Sequence, residues 1–209
     1  MYHFTIPMAL MDYLPVIFFG ITAVLLLRDL YNKMFKGAYA LLAAGSVNVF
    51  LAGFCKATWK LLYAANICDF VALEEMFMPV NSLGLLFVGL SLIGMLIWKR
   101  KSALLSVAPV AFTSSMPFIM MMVIGLGGLC VGLSILSAKM KKRAVMVLFI
   151  LSFVCAMAMG YMSSRDSTQS WVNWVEQSIN TVSQACLMAG VIVLHKKGLK
   201  DWTWEGAAV

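Results

Sequence analysis

The segment that decides the fold is residues 102–138, SALLSVAPVAFTSSMPFIMMMVIGLGGLCVGLSILSA, which contains no charged side chain. A helix needs about 20 apolar residues to cross the hydrocarbon core of a bilayer, so this segment is too long for one crossing and sufficient for two. Basic residues flank it at 99–101 and 139–143. Because Lys and Arg accumulate in cytoplasmic loops, both flanks are predicted to lie inside the cell. The segment must then leave and return, with a turn near 113–117, where Ser and Pro favour a break.

The composition of the whole chain indicates an integral membrane protein. Hydrophobic residues make up 62% of the 209 residues and charged residues 12%, whereas soluble domains carry about 25% charged residues. Mean hydropathy is +0.91. The formal charge of +7 comes from short basic clusters between apolar runs, so nucleic-acid binding is not expected. The N-terminus lacks the basic region of a signal peptide, and the first apolar run is expected to remain as a helix.

Seven transmembrane helices are predicted in a single membrane domain, residues 1–209. They span residues 8–28, 37–62, 70–98, 102–115, 117–138, 144–163 and 171–195, and 196–209 form a short tail. Four basic clusters hold 13 of the 16 Lys and Arg residues, and all four are assigned to the cytoplasm. The fold class is therefore all-α and polytopic, with the N-terminus outside and the C-terminus inside. The expected compartment of such a multi-pass protein is the plasma (inner) membrane.

A weak internal repeat is predicted to divide the helices into three plus one plus three; the alternative is that apolar sequences align by chance and that basic loops recur at each cytoplasmic turn. Residues 33–46, KMFKGAYALLAAGS, align with residues 139–152, KMKKRAVMVLFILS, and the third and seventh helices also align. The matched pairs include Ser46 with Ser152, Glu75 with Glu176, Ser82 with Ser183, Leu86 with Leu187 and Gly89 with Gly190. Two parallel three-helix units need an odd connecting helix, and the crossing count supplies one.

This layout resembles the class of seven-helix proteins that includes the SWEET sugar carriers, the PQ-loop transporters and the opsins. The resemblance covers the whole chain in layout, but the signature motifs are absent. There is no Pro-Gln dipeptide, and Lys196 and Lys197 lie at the end of the last helix, not in its middle. SWEET-like carriers place an Asn on the third and seventh helices around the substrate. The resemblance therefore implies a binding role for Asn81 and Asn180.

Polar side chains line one face of the last predicted helix. Spacings of three and four residues put them on a common stripe, which consists of Asn173, Glu176, Gln177, Asn180 and Gln184. Hydrocarbon cannot satisfy amide and carboxyl groups, and each unmet hydrogen bond there costs several kcal/mol, so the stripe is predicted to face other helices or water. The alternative is that Asn and Gln only join helices, while Glu and Lys lie in the headgroup zone.

We expect a polar cleft between the first, second, third and seventh helices, opening to the outside. The predicted substrate-binding residues are Asn48, Asn81, Asn180, Gln184, Glu176 and Gln177. The predicted vestibule or gate consists of Asp12, Lys56, Trp59, Lys60, Glu74, Glu75, Asn173 and Trp174. The leading hypothesis is a carrier for a small polar solute. The alternatives are a ligand-sensing receptor or assembly subunit acting through a cytoplasmic partner, and an intramembrane lipid-modifying enzyme with Glu176 as base.

No catalytic, metal or cofactor motif is present, so no cofactor and no metal site are predicted. The five cysteines show no CxxC spacing, and His3 and His195 are predicted at opposite sides of the membrane. Cys55 and Cys68 both map to the outer side, where pairing stays open. A homo-oligomer also stays open. The glycines of VIGLGGLC, residues 123–130, are interpreted as a site of close helix packing or as a flexible point in the fifth predicted helix.

Overall fold

The computed structural model describes residues 4–97, 116–163 and 170–202, which form eight α-helices and contain no strand. These are α1 (Ile6–Met11), α2 (Tyr13–Leu30), α3 (Lys36–Ala64), α4 (Ala72–Glu75), α5 (Phe77–Ile97), α6 (Met116–Lys139), α7 (Arg143–Ser163) and α8 (Ser170–Lys196). Asp12 separates α1 from α2, and Met76 separates α4 from α5. The predicted helix at 102–115 lies outside the described residues, as do residues 203–209 of the predicted tail.

Within the described ranges, six helical units are long and apolar enough to cross a bilayer. They are Ile6–Leu30, Lys36–Ala64, Ala72–Ile97, Met116–Lys139, Arg143–Met162 and Trp171–Lys196, with mean hydropathies between 1.4 and 2.4. The all-helical prediction is therefore confirmed for the described residues, and the six long apolar helices indicate a multi-pass integral membrane protein. Long apolar runs favour the helical conformation in a bilayer, because a helix pairs every backbone polar group within its own segment.

Six helices form a ring in chain order. Each of α2, α3, α5, α6, α7 and α8 packs against the next, and α8 packs against α2 to close the ring. The Tyr13 hydroxyl at the start of α2 lies 3.0 Å from Thr58 Oγ1 near the end of α3. These two helices are therefore antiparallel. Ser152 and Ser183 join α7 to α8 in the same antiparallel sense, with Oγ atoms 3.3 Å apart.

By contrast, α5 and α6 run in the same direction. A Cβ atom on Gly125 would lie 2.3 Å from the backbone carbonyl carbon of Leu85, and one on Gly132 would lie 2.9 Å from the Cβ of Leu92. Residue numbers on the two helices rise together along this interface, which is possible only for parallel helices. At 1.5 Å per residue, the end of α5 and the start of α6 are therefore about 30 Å apart along the bundle axis.

Glycines also bring the α5 backbone against α3. A Cβ on Gly45 would lie 2.6 Å from the carbonyl oxygen of Gly84, and one on Gly128 would lie 3.0 Å from the Cα of Gly89 on the opposite face of α5. The interpretation of Gly125 and Gly128 as close-packing residues is confirmed. Gly127 differs, because its Cβ would meet the Phe153 ring at an ordinary 3.6 Å. Small residues permit such backbone contact, which favours helix association in membranes.

The apolar core occupies one half of the bundle along its axis. It is built from the C-terminal halves of α2, α5, α6 and α8 and the N-terminal halves of α3 and α7, including Leu26, Leu42, Leu92, Leu133, Phe149 and Leu194. We call this side the His195 end and the opposite side the Asp12 end. Buried polar side chains at the Asp12 end include Lys60, Asn81 and Asn173. The apolar core is therefore concentrated at the His195 end, where Asp29 is also buried, and the buried Lys60, Asn81 and Asn173 lie toward the other end.

The chain after α8 turns back onto the bundle. Gly198 has a φ of +86°, and the amide of Leu199 donates to the carbonyl of Leu194 at 3.0 Å. This is a Schellman stop, in which glycine adopts the left-handed conformation at low cost. Leu199 is fully buried, and Lys33 Nζ donates a hydrogen bond to the carbonyl of Trp202. The first residues of the predicted tail thus belong to the packed His195 end.

Candidate functional site

A buried ion pair links α3 to the junction of α1 and α2. Lys60 Nζ lies 2.7 Å from Asp12 Oδ2, and each side chain is 7% exposed. Asp12 stands at the helix interruption because Pro15 has no N–H to donate and its ring crowds the carbonyl of Met11, four residues earlier. The sequence thus places a carboxylate where the helix breaks, facing α3.

A second lysine of α3 lies close enough to this ion pair to interact with it electrostatically. Lys56 precedes Lys60 by four residues and so lies on the same face of the helix. Its Nζ lies 4.1 Å from the centre of the Phe77 ring. Its ammonium group interacts electrostatically with Lys60, Asp12, Glu74 and Glu176. We call these five residues the charged cluster: Asp12, Lys56, Lys60, Glu74 and Glu176. They come from α3, α4, α8 and the junction between α1 and α2, and all five are among the predicted site residues.

Aromatic rings cover the cluster at the Asp12 end. The Phe4 ring lies 5.7 Å from the Trp59 ring and 5.8 Å from the Tyr63 ring, centre to centre. Lys60 Nζ lies 5.3 Å from the centre of Phe4, within reach of a cation–π attraction. The indole of Trp59 donates to Asp69 Oδ1 at 2.9 Å. The sequence predicts Trp59 in a vestibule open to the outside, whereas the ion pair beside it is covered.

Buried oxygen atoms around the cluster have no hydrogen-bond partner in the protein. They are Asp12 Oδ1, Glu176 Oε1 and Gln184 Oε1, and Asp29 Oδ1 at the other end is a fourth among the described residues. Buried polar atoms are satisfied in the great majority of cases, and each exception calls for a physical reason. Leaving such an atom unpaired costs about 1–3 kcal/mol, and more for a charged group. Three of the four lie on predicted site residues.

The polar stripe of α8 faces the bundle. Asn173 is buried, and Glu176, Gln177, Asn180 and Gln184 are half-buried. The opposite face of the helix carries Trp171 and Val182, which are 61% and 48% exposed. Hydrocarbon therefore meets the apolar face of α8, while the amides and the carboxylate point toward other helices.

Not every predicted residue joins the cluster. Asn48 is half-buried on α3 and Asn81 is buried on α5, both further toward the centre of the bundle than Lys60. Glu75 and Trp174 are exposed; Glu75 interacts electrostatically with Glu74 but not with Lys56. The charged cluster and the α8 stripe thus form the core of the candidate site, with Glu75 and Trp174 in its surroundings.

A second polar pair, which the sequence does not predict, joins α2 to α8 at the His195 end. Asp29 Oδ2 lies 2.8 Å from His195 Nδ1, and the Asp29 side chain has no exposed surface. Both residues lie near the C-terminal ends of their helices, so α2 and α8 are parallel. Nearby, partial burial lowers the pKa of Lys33, against the opposing effect of the Asp201 and Asp29 carboxylates.

An apolar groove of about 540 Å³ between α6 and α7 is separate from this polar chemistry. It is lined by residues that include Gly127, Cys130, Ser134, Ile150 and Phe153, and by none of the predicted site residues. Such a groove on the outside of a membrane bundle suits hydrocarbon chains and offers a polar solute almost no hydrogen bonds. We therefore place the candidate site at the charged cluster.

All five cysteines are free thiols, including Cys55 and Cys68. In the described part of the chain, no group of three or more His, Cys, Asp or Glu side chains is arranged to hold a metal ion. No protein family, curated protein or solved structure matches this chain. The resemblance to SWEET, PQ-loop and opsin proteins therefore stays a prediction from layout, and function must be inferred from the site.

Proposed function

We propose that this protein is a membrane carrier for a small polar solute, which binds between the charged cluster and the α8 stripe. The observation that carries the proposal is the charged cluster itself. It holds a buried ion pair and two unpartnered carboxylate oxygens within helices long and apolar enough to cross a membrane. Ionisable groups buried among membrane helices are costly and rare, and they commonly mark the path of a substrate or an ion.

The proposed carrier has seven crossings arranged as three plus one plus three. Parallel α5 and α6 support this count, because two parallel crossings require an odd number of crossings between them. The first three-helix unit is α2, α3 and α5, and the second is α6, α7 and α8. Each contact of the ring has a counterpart in the other unit: α2–α3 with α6–α7, α3–α5 with α7–α8, and α5–α6 with α8–α2.

Buried serines support the repeat at the level of residues. Ser152 and Ser183 bond to each other between α7 and α8. Their aligned counterparts Ser46 and Ser82 are likewise buried on α3 and α5. In carriers built from such repeats, the two units rock against each other around a central site and expose it to each side in turn. The interfaces α5–α6 and α2–α8 are where that movement would take place here.

The proposed orientation puts the His195 end in the cytoplasm of a cell bounded by this membrane. Basic residues at the described His195 end are Arg28, Lys33, Lys36, Lys139, Lys141, Lys142, Arg143, Lys196, Lys197 and Lys200, whereas the Asp12 end has Lys56 and Lys60. This asymmetry follows the positive-inside rule. Cys68 is exposed at the Asp12 end, so a membrane-impermeant maleimide should label it in intact cells. Labelling of Cys68 only after permeabilisation would reverse the orientation.

Solute flux into proteoliposomes tests the proposed function directly. A panel of radiolabelled amines, amino acids and sugars should contain a solute whose uptake exceeds that of empty liposomes. Asn180→Ala or Gln184→Ala should abolish this uptake while the protein keeps its helical content and monodispersity. Unchanged uptake by both variants would remove the assignment of these residues. Binding of a solute without any flux would instead favour the receptor or assembly-subunit alternative.

A further inference from the structure

We infer that the solute is a cation that donates N–H hydrogen bonds, and that its primary ammonium group binds in the charged cluster beside Glu176 and Asp12. This inference names the substrate class of the proposed carrier and rests on that proposed function. It starts from the charges that the fold gathers at the Asp12 end. Lys56 interacts electrostatically with every other member of the cluster.

The charge of the cluster is not balanced by the protein. Asp12, Glu74 and Glu176 supply three carboxylates, and Lys56 and Lys60 supply two ammonium groups. When all five are ionised, the formal charge is −1; Glu74 is only half-buried, and the Asp69 and Glu75 carboxylates beside it add further negative charge. Uncompensated charge among membrane helices is unfavourable, and buried charges are normally paired. One monovalent cation would make the cluster neutral, whereas an anion would double the imbalance.

The unpartnered atoms point to the same class of ligand. Asp12 Oδ1 and Glu176 Oε1 are buried and lack a donor from the protein. An ionised carboxylate offers acceptors and no donor, so only a donor or a cation can satisfy it. Gln184 Oε1 is also unpartnered, but the oxygen and nitrogen of an amide are interchangeable by rotation and do not distinguish donor from acceptor. The two carboxylates alone therefore define the class of ligand.

Burial separates this cluster from a patch of surface acids. The Asp12 side chain is 7% exposed and already spends one oxygen on Lys60, so its second oxygen is an unpaired acceptor in the interior. The surroundings also suit ammonium groups, since Lys56 and Lys60 each lie over an aromatic ring. Aromatic faces attract cations, and most strongly where water is excluded.

Binding of simple amines to the purified full-length protein tests the inference. Methylammonium chloride should raise the melting temperature and give a saturable calorimetric binding isotherm. Tetramethylammonium carries the same charge without N–H donors, and it should bind at least about tenfold more weakly, because a hydrogen bond to a charged group is worth about 1.5–3 kcal/mol. An equal effect of sodium or potassium chloride at the same ionic strength would overturn the inference, since the missing charge would then come from the medium. Stabilisation by acetate instead of methylammonium would overturn it as well.

Two neutralising variants should shift the affinity for methylammonium in opposite directions. Glu176→Gln removes an acceptor and the excess negative charge, and should weaken binding by about tenfold to a hundredfold. Lys56→Gln increases the excess negative charge and should strengthen binding. A general defect in folding would weaken both. Asp201→Asn neutralises an exposed carboxylate at the His195 end and should leave binding unchanged. Loss of binding in both cluster variants, or in neither, would contradict the inference.

The cationic substrate class and the carrier function can be rejected independently by these experiments. If methylammonium binds as described but no panel solute is transported, the cation site stands and the carrier does not. If a sugar or an acid is transported and amines neither bind nor compete, the carrier stands and the cationic substrate class is wrong.

Discussion

The two ends of the bundle bury different chemistry in the same six helices. At the His195 end, leucines and other apolar side chains fill the space between the helices. Buried hydroxyls there, such as those of Thr22, Ser91 and Ser137, donate to carbonyls of their own helices. At the Asp12 end, Lys60 reaches across helices to Asp12, and oxygens of Asp12, Glu176 and Gln184 stay unpaired. The Asp29–His195 pair is the exception at the His195 end, because it also crosses helices and Asp29 Oδ1 is also unpaired.

The comparison distinguishes the residues that stabilise the fold from the residues of the candidate site. The apolar end closes the bundle with contacts that any well-packed membrane protein could use. The polar end keeps charges and unpaired oxygens that lower stability, and the proposed ligand would satisfy two of the carboxylate oxygens among them.

The largest effect is expected from splitting the buried ion pair. Asp12→Asn or Lys60→Met alone should lower the free energy of unfolding by about 3–5 kcal/mol, because each leaves the other buried group without its ion-pair partner. The double variant should lose much less than the sum of the two. Reversible unfolding in mixed micelles measures all three. Strictly additive losses would mean that the two side chains do not depend on each other.

Two substitutions in α8, one apolar to polar and one polar to apolar, test the difference between the two ends. Leu187 is fully buried in the apolar core, and Leu187→Gln should cost about 3 kcal/mol of unfolding free energy through lost packing and an unsatisfied amide. Gln184→Leu, one turn away at the polar side, should change stability by less than about 1 kcal/mol because it removes an unpaired polar atom. It should nevertheless abolish uptake. If both substitutions destabilise equally, the two ends are not distinct.

A methyl group added at the α5–α6 interface should destabilise the protein. A Cβ on Gly125 would lie 2.3 Å from the α5 backbone, so Gly125→Ala should lower the free energy of unfolding by about 1–3 kcal/mol as the helices move apart. Gly160 on α7 is the matched control, because nothing lies within 4 Å of the position its Cβ would take. Gly160→Ala should be neutral or stabilising. Thermal unfolding in detergent compares the pair, and equal responses would argue against direct backbone contact.

The smallest effect is expected at the turn between α6 and α7. Lys141 has a φ of +59°, a left-handed conformation that costs a side-chain-bearing residue about 1–2 kcal/mol. Lys141→Gly should therefore raise stability by up to about 1 kcal/mol. Lys142→Gly, next to it and without a positive φ, should bring no such gain. A melting temperature that rises equally in both variants would show that backbone strain is not the cause.

Sequence reasoning succeeds where one physical constraint dominates. Apolar length determines the six described helices, because a bilayer leaves few other ways to bury long apolar runs. The direction of the α8 stripe follows from the inability of hydrocarbon to pair with Asn180 or Gln184. Asp12, Lys56 and Lys60 can be grouped because helix spacing and similar depth place them together before any partner is known.

What the sequence does not reveal depends on contacts between distant parts of the chain. Asp29 ends the first apolar run beside Arg28, where it has the pattern of an ordinary loop charge, and nothing in the sequence relates it to His195. Their pairing becomes visible only when α8 closes the ring onto α2. The covering of Lys60 by Phe4 has the same origin, because an N-terminal aromatic residue carries no signal of its partner. Pro15 is the available signal for the interruption at Asp12.

Distances between the two three-helix units test the rocking carrier most directly. In a cysteine-free background, spin labels at Ile67 and Gly160 would report the Asp12 end, and labels at Ala40 and Val147 the His195 end; all four positions are exposed. Double electron–electron resonance in nanodiscs, with and without methylammonium, should show two distances at each end. As one end widens, the other should narrow. A single unchanging distance at both ends under both conditions would contradict alternating access by these units.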